Sequence, residues 1–291
     1  DAGGCYVVPG GIDAHVHLWD PTRLRMAWLD SNAQLNRPFG LADFREHTAG
    51  LEIAAMVYVQ VDVADAYGLL EAQWAAARAQ EDSRLRGIVA WAPIEFGAHA
   101  RAYLDALTAV SPRIKGVRRL IQSESLDFCI QPRFIEGLKL LPAYGFSFDI
   151  CIYHPQLPSV IEMVRRCPEV SFMLDHIGKP NIKERLLDPW RAQLRELASF
   201  PNVMCKISGM VTEADHQRWT AEDLRPYVEH VLDCFGEDRV AFGGDWPVVL
   251  LASSYRRWVE TLDFLTAPLS AQARRKLWAD NARRFYRLDA A

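Results

Sequence analysis

The sequence predicts an α/β fold in which eight parallel strands, each followed by a helix, close into one barrel. Three observations support this prediction. The chain has 291 residues, which suits a single barrel of this kind. It contains eight short and almost continuously apolar runs, as expected for parallel strands that are covered on both faces. Segments with apolar residues at helical spacing separate these runs.

The eight runs define the predicted strands of a (β/α)8, or TIM, barrel. They cover residues 11–19, 54–61, 86–94, 114–122, 146–154, 170–178, 202–210 and 239–247. An open doubly wound sheet is the rival fold, but no G-x-G-x-x-G motif follows the first run. We find no linker, internal repeat or low-complexity segment. Residues 1–291 are therefore predicted to form a single domain.

The predicted helices alternate with these strands. Asp65 is a plausible N-cap for the first of them, and Pro155 and Pro158 would occupy a first helical turn, where proline is tolerated. Pro189 indicates a break or a late helix start. The segments cover residues 65–80, 99–110, 131–144, 155–167, 183–200, 221–235, 253–265 and 270–286.

The segment between residues 20 and 45 is long and irregular for a loop within a compact domain. Loops of this length are usually functional or disordered. Trp28 and Leu29 give it apolar side chains that could cover a bound molecule. In a barrel it would follow the first strand on the catalytic face, so we expect a substrate lid.

Composition excludes several classes of protein. The formal net charge is −4 without a basic stripe, which argues against a nucleic-acid partner. No apolar run reaches the roughly 18–20 residues of a membrane span, and we see no signal peptide. The six cysteines form no CxxC pair, which indicates reduced structural thiols and a cytoplasmic protein. The sequence leaves open whether the chain forms a homo-oligomer.

Polar side chains gather where the predicted strands end, and barrel chemistry occurs at the C-terminal ends of strands. Because residues two apart on a strand point the same way, His15 and His17 both project into the barrel mouth or neither does. A divalent cation or a polarised substrate oxygen would satisfy both imidazoles. The other strand-end candidates are His154, His176 and Asp245, with Lys206 and Ser208 at the end of the seventh run.

Zinc accepts histidine nitrogen and carboxylate oxygen, and a catalytic zinc keeps one position open for water. His15, His17, His154 and Asp245 therefore make a plausible site for one metal ion. A lone His-x-His is weak evidence; the other strand-end histidines and Asp245 strengthen it. We expect the four remaining histidines to be surface or structural residues: His47, His99, His216 and His230.

Other candidate residues have two interpretations each. Asp13 is expected to lie on the same face of the first strand as His15, deeper in the barrel, and to make structural hydrogen bonds there. Arg118 and Arg119 have opposite parity, and we favour Arg118 as the inward residue. Lys179 is either an anion contact or a solvated loop charge. Among the tryptophans, Trp28 and Trp246 are placed where a substrate would bind.

Several motifs together resemble the amidohydrolase superfamily. "PGGIDAHVH" is similar to the first-strand motif of that superfamily, and His154, His176 and Asp245 follow in its order. More narrowly, the chain resembles the lactonase-type branch, the amidohydrolase-2 or fuconolactonase-like proteins. The motifs extend from residue 9 to 288 and are "IDAHVHLWD", "WLD", "GVRRL", "LDHIGKP", "CKISGM", "GGDWP" and "NARRFY".

The resemblance implies a barrel that hydrolyses sugar or related lactones. Some members of the branch carry one divalent metal, and others work without one. Two features depart from the wider superfamily: the fourth run ends without a lysine or glutamate at its mouth to bridge two metals, and no accessory β-sandwich is expected. Arg119 stands where close fuconolactonase relatives are expected to have His, which leaves the exact substrate open.

We therefore expect hydrolysis of an aldonolactone, such as L-fuconolactone, to the sugar acid. Asp245 would act as general base on water, and His176 would steady the water or the developing oxyanion. His15, His17 and His154 would hold the metal ion, with zinc as the first candidate, or would polarise the lactone carbonyl without any metal. Substrate contacts are expected from Arg118, Trp28, Lys179 and Trp246.

Two alternatives remain at this point. A metal-dependent decarboxylase of an aromatic or muconate-type acid would use a similar set of strand-end residues on the same barrel. A non-catalytic barrel that binds sugar acids would have no need for so many titratable groups at one mouth. Lactone opening releases acid, whereas decarboxylation consumes it, so a pH indicator separates the two reactions.

Overall fold

A computed structural model describes residues 10–288 and confirms the (β/α)8 barrel. The eight strands pair in parallel and in chain order, so each strand lies beside its sequence neighbours. They are β1 (Gly11–Val16), β2 (Ile53–Val59), β3 (Leu85–Ala90), β4 (Ile114–Val117), β5 (Ser147–Ile150), β6 (Phe172–Leu174), β7 (Val203–Ile207) and β8 (Val240–Phe242).

The barrel closes where the chain beyond β8 meets β1. The backbone amide of Asp245 donates to the carbonyl oxygen of His15 at 2.8 Å, and the amide of His17 donates to the carbonyl oxygen of Trp246 at 2.7 Å. These bonds join the first and last strands through residues next to or within the predicted site. The seam of the barrel and the candidate site are therefore the same stretch of backbone.

The helices alternate with the strands and cover the outside of the barrel. They are α1 (Leu41–His47), α2 (Gly68–Glu81), α3 (Arg101–Val110), α4 (Pro132–Leu138), α5 (Leu141–Tyr144), α6 (Leu157–Arg166), α7 (Trp190–Ala198), α8 (Ala221–Phe235), α9 (Tyr255–Thr266), α10 (Ala271–Arg275) and α11 (Asn281–Tyr286). Between residues 10 and 288, no helix is both long and apolar enough to cross a membrane.

The helix boundaries follow the proline positions. As predicted from Pro189, α7 starts late, at Trp190. Pro158 lies in the first turn of α6, whereas Pro155 belongs to a short 3₁₀ turn before it. The predicted helix at 131–144 is divided into α4 and α5, and a π-helical turn at Lys276–Asp280 joins α10 to α11.

The buried core has two parts. The larger part lies between the strands and the surrounding helices, and the smaller one gathers side chains from six strands with those of the C-terminal helix. Tyr286 and Leu288 join this smaller cluster, so α11 and the residues after it close one end of the barrel. Cys5 lies outside the described residues; the other five cysteines are free thiols, and four of them are buried.

Strand β1 departs from simple alternation. Its pairing with β2 shifts register between Asp13 and Val16. Asp13 accepts a hydrogen bond from the Tyr255 hydroxyl of α9 at 2.8 Å, whereas His15 contacts Lys206 of β7 across the barrel. The expectation that Asp13 shares a face with His15 was wrong because this irregularity interrupts the two-residue period. Its structural hydrogen-bonding role is confirmed.

Candidate active site

A cavity of about 360 Å³ opens at the C-terminal ends of the strands. This is the end of a parallel barrel where strand-end side chains and loops converge. The lining side chains include His17, Trp28, Arg118, Gln122, Cys151, Tyr153, His176, Lys179, Glu213, His216 and Asp245. The structure thus brings together side chains from six different strands or the loops that follow them.

The two histidines of β1 meet through their Nε2 atoms, which lie 3.1 Å apart. Nδ1 of His17 lies 2.7 Å from the carbonyl oxygen of Val59. A carbonyl only accepts, so Nδ1 carries a proton and donates it to Val59. Nε2, on the other side of the ring, is directed toward His15 and Asp245, and the side chain lines the cavity. His15 is fully buried behind it and does not line the cavity.

Asp245 brings one carboxylate oxygen toward three imidazoles. Its Oδ1 lies 3.4 Å from Nε2 of His17, 3.7 Å from Nε2 of His15 and 3.9 Å from Nε2 of His176. Burial opposes the charged form, but the surrounding histidines outweigh burial and hold the pKa of Asp245 well below its usual range. Asp245 is therefore a carboxylate at neutral pH.

Two of the imidazoles next to it, those of His15 and His176, are neutral at that pH. Burial lowers the pKa of His176 to about 4 and lowers the pKa of His15 well below its usual value. Nδ1 of His176 lies 2.8 Å from the Ser208 hydroxyl, which orients the ring. The site thus combines one carboxylate with uncharged nitrogen donors, which is the state in which these groups bind cations or accept protons.

His15, His17 and Asp245 fit the geometry of a single metal ion. Their three facing atoms are separated by 3.1, 3.4 and 3.7 Å. Ligands bound to one tetrahedral zinc at about 2.0–2.1 Å lie about 3.3–3.4 Å from one another. The proton on His17 Nδ1 is held by a carbonyl, as is usual for metal-bound histidines. The donor set leaves the side facing the cavity open.

His154 is not brought to this set. It does not line the cavity and belongs to none of the described groups of closely spaced ligand atoms. Strand β5 ends at Ile150, and Cys151, directly after it, lines the cavity, whereas His154 begins the following 3₁₀ turn. The prediction that His154 is a ligand placed the strand end too late.

Asp175 and Lys206 form a charged network beneath the histidines that sequence reasoning did not identify. Nζ of Lys206 lies 2.6 Å from Oδ2 of Asp149, 3.0 Å from Oδ1 of Asp175 and 3.2 Å from Nδ1 of His15. All four side chains are fully buried. The available signal was an aspartate immediately before His176 and a lysine inside an apolar run.

Arg118 is the inward-facing arginine of the pair. Its guanidinium donates to Oδ2 of Asp175 at 3.0 Å and to the carbonyl oxygen of Gln60 at 2.5 Å, and the side chain lines the cavity. Its Nε atom is buried without a partner. Arg119 instead pairs with Glu95 and Glu124 outside the cavity.

Trp28 and Lys179 also line the cavity. The indole of Trp28 donates to the carbonyl oxygen of Val61 at 2.8 Å, which ties the segment after β1 over the mouth. Nζ of Lys179 donates to Oε1 of Gln122 at 2.6 Å and lies 5.0 Å from the centre of the Tyr153 ring. Lys179 is therefore held at the wall of the cavity.

Trp246 does not have the position expected of a substrate contact. Its side chain is fully buried, packs against Phe39 and Phe44, and donates to Nδ1 of His47 at 2.8 Å. The expectation was wrong because the indole turns toward α1, away from the cavity. His216 is exposed, as expected of a surface residue, and it also lines the cavity.

The "GGDWP" motif is explained by close packing at the barrel seam. A Cβ on Gly243 would lie 2.9 Å from Cβ of His15, and one on Gly244 would lie 2.3 Å from Oδ2 of Asp13. The amide of Gly244 donates to Oδ1 of Asp13 at 2.8 Å. Only glycine lets the chain pass β1 this closely and still deliver Asp245 to the histidines.

Backbone strain gathers at this site. His176, Lys179 and Asp245 have φ values of 55°, 47° and 52°, in the left-handed region that side chains rarely adopt. Such residues persist only where the surrounding structure requires them, and they are common at functional sites. The strained backbone therefore marks the same cavity as the charges do.

Comparisons with known proteins agree with this geometry. The family model described as "Amidohydrolase" matches residues 12–288. An L-fucono-1,5-lactonase of Burkholderia multivorans is 32% identical over 298 residues, covering 95% of this chain and 96% of that protein. An L-fucono-1,5-lactonase of Burkholderia ambifaria is 30% identical, and the match covers 96% of each chain.

A solved structure resembles the whole barrel. The crystal structure of an amidohydrolase from Burkholderia multivorans with bound zinc superimposes with a TM-score of 0.86. Its sequence is 31% identical, and the match covers 96% of this chain and 99% of that one. The similarity therefore extends over the complete fold, including the strands that carry the candidate site.

Proposed function

The chain belongs to the amidohydrolase family, in its lactonase-type branch, and from this premise we propose that it hydrolyses a sugar lactone to the sugar acid. An aldonolactone such as L-fucono-1,5-lactone is the first substrate to test, because two relatives carry the name of that activity. The enzyme class is a hydrolase acting on the ester bond of a lactone.

The observation that carries the proposal is the Asp245 carboxylate, which faces the imidazole nitrogens of His17 and His176 at the mouth of an open cavity. Hydrolysis of a lactone needs a group that removes a proton from water and returns one to the ring oxygen. In our proposal, Asp245 accepts the proton of the attacking water and then delivers it to the leaving oxygen. His176, held by Ser208, orients that water.

Two further groups act on the lactone itself. The guanidinium of Arg118 is held by Asp175 and lines the cavity, so it stabilises the negative charge that develops on the carbonyl oxygen. Trp28 covers the mouth and excludes bulk water from the charged groups. His15 lies behind His17, away from the cavity, and positions it through their Nε2 contact, while Lys206 holds the other ring nitrogen of His15.

We further propose that His15, His17 and Asp245 hold one divalent cation, with zinc as the first candidate. A bound zinc would act as a Lewis acid and would lower the pKa of water in the site. The orientation of His17 supports this role, because Nδ1 is bound to the carbonyl oxygen of Val59 and Nε2 is directed toward His15 and Asp245.

The test compares the wild-type protein with Asp245→Asn in a pH-indicator assay over a set of sugar lactones. We expect the wild type to release acid and the variant to lose about 10³-fold or more in kcat/KM, within the range for general-base groups. Circular dichroism should show the same fold for both. A variant that keeps its rate would refute the mechanism, and consumption of acid by an aromatic or muconate-type acid would favour decarboxylation.

A further inference from the structure

Glu213 is a carboxylate of the cavity wall that the reaction described above does not use. It follows β7, in the short 3₁₀ turn Val211–Glu213, and its side chain is half-buried. It lines the cavity, yet among residues 10–288 its carboxylate makes no hydrogen bond or ion pair. Burial raises the pKa of Glu213, and the neighbouring Asp245 carboxylate adds to that effect. A hydrogen-bond donor on a bound molecule would stabilise the charged form of Glu213 and offset this rise in pKa.

Lys179 lines the same cavity, and its positive charge lowers the pKa of Glu213, which opposes the effect of burial. Its ammonium has three protons, and one of them is donated to Gln122. The left-handed backbone at Lys179 and the Tyr153 ring beside its ammonium fix where the group points. Glu213 and Lys179 thus face the cavity without forming an ion pair with each other.

The two charges together select one kind of substituent. A hydroxyl group can donate to a carboxylate and accept from an ammonium at the same time. A carboxylate substituent has no proton for Glu213 and would be repelled by it, and a ring methylene can bond to neither group. The pair therefore recognises a hydroxylated ring and disfavours the acidic substituents of a decarboxylase substrate.

We propose that Glu213 and Lys179 jointly bind one hydroxyl group of the lactone and are the specificity-determining pair of this enzyme. This inference rests on the proposed lactonase function and adds the feature of the substrate that the cavity selects. Glu213 and Lys179 would each make a charge-assisted hydrogen bond to the same hydroxyl group. A lactone without that hydroxyl would lose both hydrogen bonds at once.

The experiment measures kcat/KM for L-fucono-1,5-lactone and for δ-valerolactone, which has the same ring without hydroxyl groups. Glu213→Gln keeps an acceptor but removes the charge, and we expect the ratio of the two values to fall about tenfold. Glu213→Leu removes the acceptor, and we expect about a 100-fold fall. Glu169→Gln, an exposed carboxylate on the loop before β6, is the matched control and should keep the wild-type ratio.

A second measurement uses Lys179→Met alone and combined with Glu213→Leu. If one hydroxyl bridges both groups, removing either should cause most of the loss on L-fucono-1,5-lactone, so the double variant should be much less impaired than the product of the single effects. Independent effects that multiply would overturn the bridge, as would an unchanged substrate ratio in Glu213→Leu. Absence of wild-type activity on every lactone would instead refute the proposed function.

Discussion

His17 binds the carbonyl oxygen of Val59 through Nδ1, and this contact decides what the rest of the ring can do. Nδ1 is bound on one side, and Nε2 faces His15 and Asp245 on the other. Asp245 reaches the same point from the opposite strand of the barrel seam. At the scale of single residues, the candidate site depends on fixed ring orientations and closely spaced nitrogen and oxygen atoms.

The first prediction at this scale concerns zinc. If His15, His17 and Asp245 bind it, adding zinc to metal-free protein should raise the melting temperature by roughly 5 °C at a concentration about 100 times the dissociation constant. His17→Gln removes one ligand and should abolish most of that rise. His99→Gln, at an exposed position, is the control. An equal rise in all three proteins would contradict the site.

The second prediction concerns Gly209, which supports the His176 ring. A Cβ at this position would lie 2.4 Å from Nδ1 of His176, and φ is +59°. We expect Gly209→Ala to lower kcat/KM at least about tenfold, because an Å-scale displacement of a catalytic group is costly. Gly145→Ala is a matched control, with φ of +66° and no atom within 4 Å of the added Cβ. It should lose some stability but not activity; equal activity in both variants would contradict the prediction.

At the scale of elements, the strands are short and the loops after them do the positioning. β8 has three residues and β4 has four, yet Arg118 follows β4 directly and Asp245 follows β8 after Gly243 and Gly244. The register shift in β1 turns Asp13 toward α9 while His15 and His17 face the barrel. Helix α2 is attached to β2 by buried hydrogen bonds, as α9 is to β1. Glu71 of α2 accepts from the Tyr58 hydroxyl at 2.8 Å and from the amide of Val61 at 2.6 Å.

This attachment predicts a pH dependence of stability. Burial raises the pKa of Glu71 from 4.5 to about 7. The folded state then holds its proton more tightly than the unfolded state, so stability should fall as pH rises from about 4.5 to 7, by up to roughly 3 kcal/mol. Chemical denaturation of Glu71→Gln should lack this fall. Glu52→Gln, at an exposed position, is the control, and the difference between its free energy of unfolding and that of the wild type should not change with pH. Parallel curves for wild type and Glu71→Gln would contradict the assignment.

At the scale of the whole molecule, two features join the ends of the chain to the barrel. The seam between β1 and the segment after β8 closes the sheet. The C-terminal helix α11 closes one end, where Tyr286 packs in the smaller core cluster and its hydroxyl donates to Oδ2 of Asp149 at 2.6 Å. Asp149 in turn contacts Lys206, which contacts His15. The end of the chain is thus connected to the candidate site through buried charges.

The final prediction tests this connection. Tyr286 is fully buried, so Tyr286→Ala should lower the free energy of unfolding by about 3–5 kcal/mol, as large aromatic truncations do. Tyr286→Phe keeps the ring and should lose about 1–3 kcal/mol, because Asp149 loses a hydrogen-bond donor. Tyr67→Ala, at a residue that is 36% exposed, is the control and should change stability much less. A Tyr286→Phe variant as stable as the wild type would contradict the importance of the hydroxyl.

The sequence by itself determined the fold class and most of the strand-end residues, because apolar runs of strand length and polar residues at their ends are local patterns. His15, His17, His176 and Asp245 were found in this way, and the structure brings them together. The motifs that resemble the amidohydrolases also read directly from the chain, and the family match confirms them.

Only the tertiary structure decided which residues share the cavity. His154 falls outside because β5 ends four residues earlier, and Trp246 turns away because its indole packs on α1. The sequence marked Lys206 only as a strand-end residue, and no pattern indicated Asp175 or Glu213, since the roles of these residues depend on contacts with residues that are distant along the chain. Strand ends, bulges and ring orientations are set by packing around the whole barrel, and a local pattern does not contain that information.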